Sequence, residues 1–579
     1  MMFALAGWTM TILNGSTLRA QTPEAETSGE GRASSEIVFL AWQGNPAVQR
    51  CGLCHFSPGN SFAERSTDFC RLDELQQWLK RDKHAIARQR VEPIAADRRS
   101  KEYDRIKNSL AVRARDITIP KDWIGESNYL SDAICKQLGY DVQSPEGYDE
   151  YRKNCLTCHA GYDARLPSSN SFQSSESHPG IGCVYCHQND AGEKWIDEHS
   201  SLDVQFKWRS KPAAEKAAAG MRDLASVGVQ AELCFGCHIG DPKRNMFVTH
   251  EMFAAGHPQL PNVEFSSFVE AMPRHWRGPD ELFQSLGDRP DREAYFRSNY
   301  PGLAERIEPV DTKGHASQID QLPWQIHSMA VGGLTAQQHW LRMVRENTTS
   351  TSGYWGNYAM YDCAACHHEL RNPSRRQSFR APGAPGRPRL LEWPRALARA
   401  VAVAAGSGEL INGLEDELNQ AVTKQPFGQP EQVGRQAGRL IIAIEELMRH
   451  TQSEALSEAF ALRLLEALVQ TPDELLIDYH SSRQVVLALR CIDTDLQKLG
   501  RPLSTEIHSS IEKLNRGPDP NSVRISIDLP GGQSQAIFPT FLKDELDRQA
   551  AYDPEQFRQL LRGLSALVLK NQSDISSSR

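Results

Sequence analysis

The sequence predicts a mainly α fold with extensive coil, in which a loop-rich N-terminal region is followed by an α-helical C-terminal domain. Three observations predict it. The pentapeptide Cys-x-x-Cys-His recurs five times between residues 51 and 367, in sequence with little strand-like alternation. Beyond residue 395 apolar residues recur at every fourth position. Between the two regions, residues 371–394 are rich in proline and arginine. The charge is modest, 65 basic against 73 acidic residues for a net −8. That excludes a general nucleic-acid binder, which needs a concentrated basic face.

Taken in order, residues 1–20 read as a signal peptide that lacks the usual positively charged start. A short apolar stretch from Phe3 to Leu13 leads to Ala20 and the polar Gln21-Thr22-Pro23. Residues 36–370 then carry the five motifs. These are Cys51-Gly52-Leu53-Cys54-His55, Cys155-Leu156-Thr157-Cys158-His159, Cys183-Val184-Tyr185-Cys186-His187, Cys234-Phe235-Gly236-Cys237-His238 and Cys363-Ala364-Ala365-Cys366-His367. Their first cysteines are 104, 28, 51 and 129 residues apart, so the middle three fall close together.

The spacing matches covalent attachment of haem c. Two thiols separated by two residues reach the two vinyl groups on one porphyrin edge, and the next histidine supplies an axial nitrogen to iron. Zinc also uses Cys-x-x-Cys half-sites, but it has no use for a histidine fixed at the next position. A disulfide framework likewise gains nothing from the histidines. The expectation is therefore a five-haem cytochrome c domain with five covalently attached haems, little conventional core, and short helices and loops packed around the porphyrins. Because this attachment takes place outside the cytoplasm, a periplasmic or otherwise exported protein is expected.

Of 13 cysteines, Cys70, Cys135 and Cys491 remain. A Cys70–Cys135 bridge and buried free thiols both fit, and the odd count leaves at least one thiol without an intrachain partner. In residues 371–394, Pro373, Pro382, Pro385, Pro388 and Pro394 interrupt any regular element, which reads as a linker or surface strap. Its arginines could face an acidic partner or haem propionates, though a solvated connector needs neither. Residues 395–579 read as a helical domain of unknown role. Leu456, Phe460, Leu464 and Leu468 mark one helical face, and Thr471-Pro472-Asp473-Glu474 predicts a capped helix start. Val523–Ile527 and Gln535–Phe538 around Pro530-Gly531-Gly532 predict a lone hairpin. His450, His480 and His508 read as surface or core residues rather than ligands.

Eighteen histidines less five in motifs leave thirteen for second axial positions. Here a resemblance appears. Cys51-x-x-Cys54-His55 is followed by Trp78 and by Asp82-Lys83-His84-Ala85-Ile86-Ala87. This resembles the first-haem segment of the tetrahaem cytochrome c family of ammonia-oxidising bacteria, relatives of hydroxylamine oxidoreductase. Gly180-Ile181-Gly182 before the third motif resembles the same family, departing from it at Val184 and Gln188. Trp195-Ile196-Asp197-Glu198-His199 stands where that family places another distal histidine. Thr249-His250-Glu251-Met252-Phe253-Ala254-Ala255-Gly256-His257-Pro258 and Tyr361-Asp362-Cys363 through Leu370 resemble segments of related multihaem cytochromes. The resemblance covers residues 45–370 in patches. It implies that His84, His199, His250 and His257 are distal ligands, with His178 as a fifth candidate. His250 and His257 lie seven apart, but Gly256 and Pro258 predict that the helix between them has ended. His315 and His327 read as polar surface, while His275, His339 and His368 are left without a role.

The function expected is electron transfer through closely spaced bis-histidine haems, a ligation that lowers potential relative to Met–His. Redox partner proteins, among them a membrane-bound quinol-oxidising complex, would be the donor and acceptor. The alternative is a haem enzyme acting on a small nitrogen compound at a five-coordinate haem. Against it stands the lack of a Cys-x-x-Cys-Lys motif.

Overall fold

The computed structural model describes residues 71–88, 127–163, 180–200, 211–260, 262–278, 322–349, 357–367, 372–378, 386–517 and 551–577, with scattered residues between them that include Cys51 and His55. The stretch 1–20, Cys54, Cys70, His178, His315, His368 and the hairpin expected near 523–538 lie outside the described residues. The fold is mainly helical. Among the described residues there is no strand, only isolated bridges such as Tyr361 with Leu390. No helix there is long and apolar enough to cross a membrane.

Short helices make up the N-terminal half. They include α1 (Glu74–Arg81), α2 (Ser127–Gln137), α3 (Pro145–Tyr151), α4 (Cys183–His187), α5 (Lys194–Ser200), α6 (Val227–His238), α7 (His250–Ala254) and α8 (Phe265–Ala271). Helices this short are marginal alone and need packing partners. Yet the apolar clusters they make with one another are small. Val184, Trp195, Ile196, Trp208 and Ala219 form one, and Cys135, Tyr151 and Leu156 another.

The C-terminal half is a bundle of long helices: α9 (Trp324–Thr349), α10 (Trp393–Ala404), α11 (Gly408–Thr423), α12 (Pro430–Glu454), α13 (Glu458–Val469), α14 (Tyr479–Lys498), α15 (Thr505–Arg516) and α16 (Pro554–Ser577). At its centre lies α9, covered by α10, α12 and α14 and, from the N-terminal half, by α6 and α8. Two glycines allow this. A Cβ on Gly332 would fall 2.4 Å from the Cβ of Phe265 on α8, and one on Gly333 would fall 2.8 Å from Cγ of Leu397 on α10. The start of α9 is held by α14, whose Asp495 Oδ2 accepts the Ile326 N–H at 2.9 Å.

Three expectations need correction. The core does not divide at residues 371–394, because α9 and α6 share one continuous apolar core with the bundle, from Val227 to Val568. Composition marks a surface strap, whereas a core boundary depends on which faces bury each other. Nor is the strap wholly solvated. Its end is pinned where Asp362 N–H donates to Arg389 O at 2.9 Å and Leu391 N–H to Met360 O at 3.1 Å. Finally, Asp473–Leu475 makes only one 3-10 turn, with no side-chain cap. The Thr471 hydroxyl donates back to Leu468 O, and the helix begins at Tyr479 with Asp478 as its cap. The periodic Phe460, Leu464 and Leu468 do lie fully buried on α13, while Leu456 precedes its cap, Ser457.

One buried charge in the bundle makes stability depend on pH. Burial raises Glu415 on α11 to about 7, only partly offset by the Arg395 guanidinium, which lies 3.7 Å away. The folded state therefore binds this proton more tightly than the unfolded chain. The stability it contributes is full below the ordinary carboxylate range and is lost as pH rises through about 7. Glu415→Gln is expected to change little at pH near 5 and to stabilise at pH near 8 by up to about 3 kcal/mol. Arg395 keeps its other partner, Glu392, at 2.5 Å. Chemical denaturation of both proteins at the two pH values reads the difference, and equal gains at both would contradict it.

Candidate functional site

Helical geometry explains the motif before any cofactor is invoked. Residues i, i+3 and i+4 of a helix share one face, so two cysteines and the following histidine project together. The third motif is helix α4 itself, and the fourth is the last turn of α6. The second motif runs from a single π-helical turn, Arg152–Leu156, into a helical turn at Thr157–His159. The fifth is tighter. A 3-10 turn spans Cys363–Ala365, and His367 N–H returns to Cys363 O at 2.7 Å.

Four motifs gather into one cluster. The thiols of Cys51 and Cys183 are neighbours, as are those of Cys158 and Cys237. Tyr185 OH lies 3.7 Å from Cys237 Sγ. Cys186 and Cys234 are neighbours, each thiol pushed by burial to about 12. The fifth motif stands apart at the surface, with Cys363 and Cys366 exposed. Outside the motifs, Cys135 and Cys491 are buried thiols. Cys135 lies against Cys155, and Cys491 donates to Glu264 Oε2 at 3.5 Å.

The histidines carry the most informative geometry. His55 and His199 face each other with ring centroids 6.5 Å apart and planes at 29°. His238 and His84 are 6.4 Å apart at 77°, His187 and His275 are 6.4 Å apart at 69°, and His367 and His250 are 6.1 Å apart at 25°. In each pair one ring belongs to a motif and the other does not. His159 and His257 are also neighbours: burial first, and nearby His257 as well, holds His159 well below the usual imidazole range. Such separations lie toward the long end of ordinary ring contacts. A metal-bound imidazole nitrogen lies about 2 Å from its metal, so two imidazoles on opposite sides of one ion have centroids about 6 Å apart. The residues present fit a haem iron between them.

In four of these rings Nδ1 has a hydrogen-bond acceptor. His199 Nδ1 donates to Trp195 O at 3.0 Å, and His257 Nδ1 donates to Pro258 O at 2.7 Å. A carbonyl can only accept, so these rings carry their proton on Nδ1 and leave Nε2 for a metal. His55 Nδ1 faces Glu74 Oε2 at 3.1 Å, and His84 Nδ1 faces Asp82 Oδ1 at 2.9 Å. Asp82 also accepts the His84 backbone N–H at 2.9 Å, fixing ring and backbone together. Burial holds His187, His238 and His257 neutral, at about 3.

His84, His199, His250 and His257 thus each stand beside a motif histidine. The helix after His250 ends at Ala254, and Gly256 adopts φ 105°, so the two histidines of that segment stand beside different motifs, His250 beside His367 and His257 beside His159. His327 is not on the surface but buried within α9, and His339 on the same helix packs near Phe235. Sequence reasoning left His275 without a role, and only its proximity to His187 singles it out. Trp276, perpendicular to it at 5.1 Å, is the one local signal. No family model, curated protein or solved structure matches this chain.

Proposed function

We propose that the chain is an exported pentahaem c-type cytochrome that carries electrons. The observation that carries the reading is the set of motif histidines each facing a second histidine, four of them across the gap a six-coordinate iron needs. Haem supplies reversible one-electron chemistry at iron. The chain supplies the rest: cysteine pairs for thioether anchorage, paired imidazoles as axial ligands, and Nδ1 acceptors that orient four of them. The carboxylates of Glu74 and Asp82 favour electron-rich imidazoles at His55 and His84, which favours the oxidised state there. The small apolar clusters of the N-terminal half also fit porphyrins as the missing packing partners.

Close contact between the first and third motifs, and between the second and fourth, supports rapid exchange among four sites. The exposed fifth motif supports an end of the path where a soluble redox partner or a membrane-bound quinol-oxidising complex could dock. A family tie to the tetrahaem cytochromes of ammonia oxidisers belongs to the same proposal.

Expression in a host that matures c-type cytochromes tests it. The intact mass is expected to equal the mature chain plus five haems. Cys363→Ala with Cys366→Ala should remove one haem and leave four. A zinc-loaded, haem-free protein would sink the reading.

A further inference from the structure

We propose that His275 is the distal ligand of the iron held by the third motif, so that this haem is six-coordinate and the protein conducts rather than catalyses. The inference rests on the haem reading above and goes beyond it. His187 has three histidine neighbours, His275, His55 and His199. Two of them face each other at 6.5 Å and are spent on the first motif. His275, at 6.4 Å, remains.

The surroundings suit the role. The backbone leaves α8 at Ala271, and Met272 is extended, so His275 enters from a loop that the rigid Pro273 restricts. Trp276 stands perpendicular to the ring at 5.1 Å and limits its rotation. The assignment gives each of the five motif histidines a histidine neighbour among the described residues.

Ring-plane angle supplies a signature. Near-parallel imidazoles split the iron dxz and dyz orbitals and give a rhombic low-spin resonance. Near-perpendicular imidazoles leave them almost degenerate and give a single feature at a much larger g value. The planes at 69° and 77° place the third and fourth motifs in the second class, and those at 29° and 25° place the first and fifth in the other.

Electron paramagnetic resonance of the oxidised, fully loaded protein is therefore expected to be wholly low-spin, with large-g features from at least two haems. In His275→Ala, one large-g feature should disappear and one haem equivalent of high-spin signal appear, and added imidazole should reverse both changes. A second variant, His275→Met, keeps a ligand in place. It should stay low-spin, gain the sulfur-to-iron charge-transfer band in the far red, and show one haem with a raised potential. An unchanged low-spin spectrum in His275→Ala would overturn the assignment, as would a one-haem high-spin signal in the unmodified protein. So would absence of the charge-transfer band in a fully loaded His275→Met. Haem count by intact mass separates the two levels. Five haems with an unaltered variant spectrum refutes His275 alone, whereas an unmodified protein without five haems refutes the cytochrome reading.

Discussion

A chain ended before Trp393 is expected to be recovered unfolded and protease-sensitive, although all five motifs remain in it. The reason is α9. Ile326, Met329, Leu334, Leu341 and Val344 are fully buried there, and much of their cover comes from α10, α12 and α14. Exposing a buried side chain of this size costs about 1.5–3 kcal/mol. The five together are comparable with a typical domain stability of about 5–15 kcal/mol, so losing most of their cover is enough to unfold the chain. Soluble yield and resistance to limited proteolysis, compared with the full chain, check the result. A compact, protease-resistant truncated protein would show that the N-terminal region is an independent domain after all.

Gly180→Ala is expected to damage one site selectively. A Cβ there would land 2.1 Å from the carbonyl oxygen of His84 and 2.7 Å from the backbone nitrogen of Ala87. These are backbone atoms, so no side-chain rotation relieves the clash. The Ile181 N–H to His84 O bond of 2.7 Å would break, and the segment carrying His84 would move away from His238. On the proposed function, the fourth motif's iron then loses its distal ligand and turns high-spin. Gly413→Ala on α11, where a Cβ meets nothing within 4 Å, is the control and should leave the spectrum alone. Loss of His84 ligation should also remove the large-g feature of a 77° pair. An unaltered spectrum in Gly180→Ala would mean that the loop has slack the packing does not suggest.

What could be read from the sequence follows from how local each cause is. Thioether attachment needs two thiols and a histidine within five residues, so the five motifs were visible without any fold. The buried stripe of Phe460, Leu464 and Leu468 was visible for the same reason, since one helix face writes itself at fixed spacing. The 3-10 turn at Asp473–Leu475 was misread because a capping pattern does not tell whether Thr471 points forward or bonds back to Leu468. α9 was missed as the centre of the bundle because it is buried all round. It therefore carries no apolar stripe, and the Gly332-Gly333 pair inside it looks like a breaker rather than a contact. Distal histidines are fixed by tertiary approach. On the proposed function, five candidates were suggested by resemblance, His178 among them, and His275 had no pattern to declare it.

The central helix also sets an order in time. On the proposed function the chain is exported from its N-terminus, and all five motifs emerge before α10, α12 and α14 do. The core that traps α6 cannot close until those last helices arrive to cover α9. Until then Cys234 and Cys237 remain within reach of the attachment machinery. On that reading the C-terminal bundle would shut over α6 only after the covalent chemistry is finished. The truncated chain, for all its failure to fold, should still carry its haems on a denaturing gel.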